Sequence, residues 1–270
     1  MSHESPEQGH EVAVQRAVAR IALAGVAGFA LAGSGAIREH GVIDRPTEDV
    51  DLFTTSQDVT AFSVAVDQVT DQLRGSGYQV EQTRQAPQYA RLHVATGDGI
   101  QVDVDLGVDW RHDDPVVLDV GPVLSLADAV GNKVAALYSR GEARDYLDVN
   151  AIRASGRFSD DQLLTAAAER DAGFDVGMFA QQLAAASRLQ AAQVARYGVN
   201  ADQLDAVKSR CVEWATDLHN QASTDPAPDA LRGQAKQMRA NFPVPATEAT
   251  RQPQARPAQP SRDPDRGIEL

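Results

Sequence analysis

Apolar positions along the chain first repeat every three to four residues, then alternate, and then return to the helical period. The spacing predicts an amphipathic helix from about Glu11 to Leu23. A buried strand follows around Val26 to Ala32 and ends at the turn Gly33-Ser34-Gly35, which opens a short helical stretch. Val50 to Thr54 reads as a strand, and Val59 to Arg74 as a helix stopped by Gly75-Ser76-Gly77. Tyr89 to Ala95 and Ile100 to Leu106 alternate as strands do, with Asp98-Gly99 between them as a hairpin signal. After Pro122 the helical period takes over, in Leu126 to Arg140, Arg144 to Ala154, Asp160 to Arg170, Met178 to Arg196 and Ala201 to Asn220. The expected fold class is therefore α+β, with a mixed β-sheet and flanking helices in residues 1–125 and a helical domain in residues 126–221.

Residues 222–270 hold eight of the thirteen prolines, with Gln, Ala and charge of both signs, so this stretch is expected to be disordered. Its seven basic side chains sit among six acidic ones, which favours a solubilising tail over an RNA-binding one. The apolar run from Ile21 to Ile37 resembles a signal peptide or a short membrane span. Glu4, Glu7 and Glu11 precede it, Gly and Ala dominate it, and its seventeen residues fall short of a crossing, so no membrane association is expected.

Composition narrows the function. With 270 residues and 43% apolar content the chain can bury a normal core, and its net charge of −13 argues against a protein that coats nucleic acid or anionic membranes. Any nucleic-acid contact must be local. The single cysteine, Cys211, excludes an internal disulfide framework and a cysteine-built zinc site, and makes a reducing cytoplasm the simplest compartment. Between Asp44 and Asp119 stand fifteen acids against five arginines, a stretch that invites a cation, although acidic runs are commonly just solvated faces.

The candidate chemistry starts in residues 33–53. Asp49 and Asp51 are two apart on a predicted strand, so their carboxylates share a face while Val50 and Leu52 point to the core. Like charges held that close repel unless a cation lies between them, and hard oxygen donors select magnesium or manganese. Gly33-Ser34-Gly35, at a strand end, offers backbone N–H groups and a hydroxyl to phosphate oxygens, or else is an ordinary tight turn. A third acid comes from the strand around Asp103 and Asp105, which share a face. Asp105 is preferred, with Asp103 the alternative and an exposed acidic hairpin the plain reading. Three converging carboxylates suit metal-assisted phosphoryl or nucleotidyl transfer.

In an unbroken helix Lys133, Arg140 and Arg144 fall within about 20° of one line, with Asp148 near it, though Gly141 can interrupt that helix. Lys133 then holds β- and γ-phosphates, Arg140 and Arg144 grip phosphate or RNA backbone, and Asp148 orients the lysine or an incoming hydroxyl. A surface helix laced with ion pairs is the rival. Arg153 and Arg157 extend the basic strip that an acidic protein needs if it is to handle RNA. His40 and His112 stand near acids and read as hydrogen-bonded surface residues.

In that order, Gly33-Ser34, Asp49-x-Asp51, Asp105, then Lys133 followed by Arg144-Asp145 and Asp148, these residues resemble the motifs of the AbiEii/AbiGii family of nucleotidyltransferase toxins, within the DNA polymerase β-like superfamily. The resemblance covers residues 20–155. It implies a nucleotidyltransferase-like sheet and an enzyme of a toxin–antitoxin pair that transfers nucleotides from a magnesium-bound nucleoside triphosphate to RNA, in some relatives to the tRNA 3′ end. By the same transfer Ser34 contacts the triphosphate, Asp49, Asp51 and Asp105 bind metal, and Lys133 and Asp148 are essential. The partners implied are the triphosphate, RNA and a cognate antitoxin. One departure is the fourteen residues between Ser34 and Asp49, longer than the superfamily's usual ten or so. Two other readings stay open: a small-molecule nucleotidyltransferase of the aminoglycoside-modifying kind, and a non-catalytic nucleotide-binding or interaction module.

Overall fold

The computed structural model describes residues 6–45, 47 and 49–224; the expectation for the Pro-rich tail lies outside them, apart from its first three residues, which end the last helix. Helix α1 (Pro6–Ala24) leads to strand β1 (Phe29–Leu31), helix α2 (Gly33–Glu39) and strand β2 (Asp49–Thr54). Helix α3 (Val59–Gly75) follows, then β3 (Gln79–Ala86), β4 (Tyr89–Ala95), β5 (Gln101–Val108), β6 (Val116–Leu118) and β7 (Gly121–Val123). The helices α4 (Leu126–Ser139), α5 (Ala143–Ala154), α6 (Asp160–Arg170), α7 (Val176–Ala184), α8 (Ala191–Val194) and α9 (Ala201–Thr224) complete the described chain.

The strands form one mixed sheet in the order β3-β4-β5-β2-β1-β7-β6. β2 lies parallel to β5 and antiparallel to β1, while β3, β4 and β5 form an antiparallel meander. Alternation decides the faces. Val50, Leu52, Leu92, Val102, Val104 and Leu106 are buried, in one core with Phe62 and Val66 of α3 and Val18 of α1. The opposite face is left to the charged side chains of the same strands. The Asp98-Gly99 hairpin forms as expected, with Gly99 at φ +94° and the Thr96 N–H donating to Ile100 O at 2.9 Å.

Three strands went unpredicted: β3 is almost wholly exposed and polar, and β6 and β7 have three residues each, too few to show a period. β1 is shorter than the apolar run that announced it, because Gly28 turns the chain at φ +82° just before it. The helix expected over Met178–Arg196 is broken: Leu189 is extended at ψ 141°, which buries its side chain and lets Gln190 cap the next short helix. Gly141, at φ +59°, likewise separates α4 from α5, so the stripe built on an unbroken helix does not exist. α4 is N-capped by Ser125, whose Oγ accepts from the Asp128 N–H at 3.0 Å. Among the described residues no helix is long and apolar enough to cross a membrane.

Candidate active site

The polar face of the sheet carries an array fixed by strand register. Asp51 of β2 pairs with Asp105 of β5, and Asp105 with Arg91 of β4; two residues away, Asp49 pairs with Asp103, and Asp103 with His93. Two rows of three ionisable side chains therefore lie across three neighbouring strands. Oxygens of Asp49, Asp51 and Asp105 come within 4.8 Å of one another. Asp103 stays outside that group, its carboxylate on His93 Nδ1 at 2.8 Å.

The three carboxylates differ in their support. Arg91 clasps Asp105 with Nε at 2.6 Å and Nη2 at 2.5 Å, and the Tyr89 hydroxyl donates to it at 2.9 Å. Arg144 approaches Asp49 at 3.4 Å. Withdrawal from water, then the charge of Asp49 and later Asp105, raise the carboxyl of Asp51 to about 6, against the opposing pull of Lys133 and Arg144. A hard divalent cation matches this donor set, since it would remove the repulsion that burdens Asp51.

Beside the carboxylates the chain leaves β1, donates the Ala32 N–H to Asp51 O at 2.8 Å, and turns into α2 at Gly33. Gly33 has φ +57°, and a Cβ there would lie 1.8 Å from Asp51 Oδ2. Only glycine lets the backbone come this close to the carboxylate. The next residue, Ser34, enters a buried knot. Its Oγ accepts from Lys133 Nζ at 2.6 Å and from Arg45 Nη2 at 3.1 Å, and donates to Asp148 Oδ2 at 3.0 Å. Asp148, fully buried, takes Lys133 at 2.8 Å and Arg45 Nε at 2.7 Å. Burial alone would push its carboxyl up, but Lys133 and Arg45 overcome this and hold it below the ordinary carboxylate range.

A glycine turn that delivers a serine onto a buried lysine, next to converging carboxylates, is compatible with a phosphorylated ligand and a cation. The family model of the nucleotidyl transferase AbiEii toxin, of type IV toxin–antitoxin systems, matches residues 18–213. The chain belongs to this family. As an AbiEii-family protein it is a nucleotidyltransferase enzyme of the toxin kind. Among solved structures, the nucleotidyltransferase toxin MenT4 of Mycobacterium tuberculosis is 17% identical, with a TM-score of 0.53 over 85% of this chain and 94% of its own. A Helicobacter pylori protein, provisionally assigned as a nucleotidyltransferase, is 16% identical, with a TM-score of 0.51 over 82% of this chain and 98% of its own. At these identities the likeness speaks for the fold. No curated protein matches the chain.

In this AbiEii-family site, Gly33, Ser34, Asp49, Asp51, Asp105, Lys133, Arg144 and Asp148 come together as the sequence motifs group them. Lys133 and Asp148 meet because α4 and α5 converge, not because one helix aligns them. Arg140 is committed elsewhere, clasping the buried Asp145 through Nε and Nη2, each at 2.9 Å. Two more members of the expected basic strip are engaged within the fold, Arg153 on Asp160 at 2.7 Å and Arg157 on His40 O at 2.8 Å. His40 meets Leu124 O and His112 meets Asp113.

Three contributors were not singled out from sequence: Arg45, Tyr89 and Arg91. The last two had a signal. Tyr89, Arg91 and His93 alternate with buried Ala90, Leu92 and Val94, and a hairpin at Asp98-Gly99 pairs Arg91 with Asp105. Arg45 lies between α2 and β2, where no period exists to read.

Proposed function

We propose that this enzyme transfers a nucleotide from a magnesium- or manganese-bound nucleoside triphosphate to RNA, with the tRNA 3′ end as acceptor, and that it does so in the cytoplasm as the toxin partner of a cognate antitoxin. The observation that carries the reading is the meeting of Asp49, Asp51 and Asp105 beside Ser34 and Lys133. In this reading residues 1–125 are the catalytic core and residues 126–221 lend it Lys133 and Asp148. Asp49, Asp51 and Asp105 hold the metal. When bound, the cation would neutralise the triphosphate and stabilise the departing pyrophosphate.

The rest falls to the chain. Lys133 Nζ, 2.6 Å from Ser34 Oγ, offers its positive charge to the β- and γ-phosphates, and the Ser34 hydroxyl reaches them by turning its proton away from Asp148. Gly33 keeps the turn close to Asp51, so phosphate and carboxylates share one small space. Asp148 positions the lysine. Arg144 stands at the rim beside Asp49, and Arg140 supports that rim through Asp145.

Purified protein is incubated with magnesium, each α-labelled nucleoside triphosphate, and either total tRNA or a panel of aminoglycosides. Label is expected on tRNA. Label on aminoglycosides alone would replace the acceptor with a small molecule, and triphosphate binding without label on either would overturn the reading.

A further inference from the structure

Asp103 and His93 are the two members of the array that neither belong to the carboxylate cluster nor clasp it. Cross-strand register sets them opposite each other, His93 Nδ1–H donates to Asp103 Oδ1 at 2.8 Å, and each side chain is about one-third exposed, at 35% and 34%. Arg91 Nη1 steadies the same carboxylate at 3.7 Å while its other nitrogens clasp Asp105. His93 Nε2 meets no hydrogen-bond partner among the described residues. A carboxylate that fixes one ring nitrogen of a histidine and leaves the other open makes a proton acceptor.

Its place in the sheet decides which proton. Across the strands run β4 with His93, β5 with Asp103 and Asp105, β2 with Asp49 and Asp51, and then β1, whose end delivers Ser34 to Lys133. The groups suited to the β- and γ-phosphates and the imidazole thus stand on opposite flanks of the carboxylates. Displacement at phosphorus places the attacking oxygen roughly in line with the leaving one, on the far side. With pyrophosphate leaving toward Ser34 and Lys133, the acceptor hydroxyl enters from the β4–β5 flank. A cleft of about 570 Å³ opens there, lined by Asp49, Arg91, His93, Asp103 and Arg144 among others.

Resting on the transferase reading, we infer that this cleft receives the acceptor and that His93, oriented by Asp103, is the general base of the transfer. The acceptor O–H gives its proton to Nε2, and its oxygen bonds to the α-phosphorus. The bond from that phosphorus to the bridging oxygen breaks, and pyrophosphate leaves with the electron pair. Asp103 faces the resulting imidazolium. Among the described residues, the other charged groups on the elements around the ring and its cleft are Arg91 on its own strand, Glu81 in register on β3, Glu11 of α1, and Asp49 and Arg144 across the cleft.

The test measures pyrophosphate release and label transfer against pH, with total tRNA or water alone as acceptor. His93→Gln keeps a donor for Asp103 and removes the base. Its turnover is expected to fall about 10²–10⁴-fold, with a changed pH profile, while triphosphate affinity stays within about twofold of the wild type. Free imidazole should restore part of the activity of His93→Ala. A His93→Gln enzyme with wild-type turnover and pH profile overturns the inference while the transferase reading stands. So does a slow variant with an unmoved profile and no imidazole rescue. Wild-type release of pyrophosphate onto water that depends on His93, with no label on RNA, supports the base and removes RNA as the acceptor. No release with any acceptor defeats both.

Discussion

The two flanks of the site are opposites in charge and setting. On one, three carboxylates crowd together with Arg91 and Arg144 as their cationic neighbours, and Asp51 is held in a state that disfavours its own ionisation. On the other, one fully buried carboxylate is shared by Lys133 and Arg45, and the hydrogen bonds around Ser34 close the group. The first flank has acid to spare and the second has base to spare. A metal–triphosphate complex carries the same asymmetry in reverse, so binding it completes both. The first flank holds strain that a ligand relieves, while the second is a stable socket before any ligand arrives.

The two flanks part most widely at Asp51. Asp51→Asn removes a charge that Asp49 and Asp105 oppose, so the metal-free protein should melt no lower than wild type while label transfer falls by about 10³-fold or more. Magnesium at about a hundred times its dissociation constant should stabilise the wild type by roughly 2.7 kcal/mol and leave the variant unmoved. Thermal melts with and without magnesium, beside the transfer assay, decide it. A variant that unfolds several degrees lower without metal would place Asp51 in the structural half of the site.

Asp148→Asn tests the opposite flank and should do the reverse. It leaves Lys133 and Arg45 buried without their carboxylate, a loss of about 3–5 kcal/mol in denaturant unfolding, with activity falling alongside stability. The pH dependence has a definite sign. The folded carboxyl of Asp148 lies below its ordinary value, so its stabilisation is complete above the unfolded value of about 3.9 and fades as pH drops through the folded one. The gap between wild type and variant should therefore be widest near neutrality and narrow in acid. A gap that is constant with pH would show that charge at Asp148 is not what holds the knot.

How much of this was readable in the chain follows from what each flank depends on. The carboxylates were legible because strand alternation alone puts Asp49 with Asp51 and Asp103 with Asp105 on shared faces. Asp105, preferred from sequence over Asp103, stands beside Asp51 through the parallel register of β2 on β5, a long-range pairing that no local period encodes. The knot was legible in its members and not in its construction. Lys133 and Asp148 were grouped by helical spacing, yet they meet across a break at Gly141 between two converging helices. Arg45 was invisible because it sits in an irregular connection, and β3 because it is a polar edge strand held by β4.

Arg45 lends the knot both charge and shape. Its guanidinium forks onto Asp148 Oδ1, touches Ser34, and lies 4.9 Å over the ring of Tyr197. Arg45→Lys keeps the positive charge and gives up the fork and the stacking, so about 1–2 kcal/mol of stability should go, less than for Asp148→Asn. If the knot acts as one unit, Arg45→Met added to Asp148→Asn should cost less than the two losses summed, because the second substitution removes a cation that the first left stranded. A double-mutant cycle in denaturant measures that shortfall. A sum with no shortfall would mean that Arg45 is held by Tyr197 rather than by the carboxylate, and the second flank would then be two separate contacts instead of a single balanced socket.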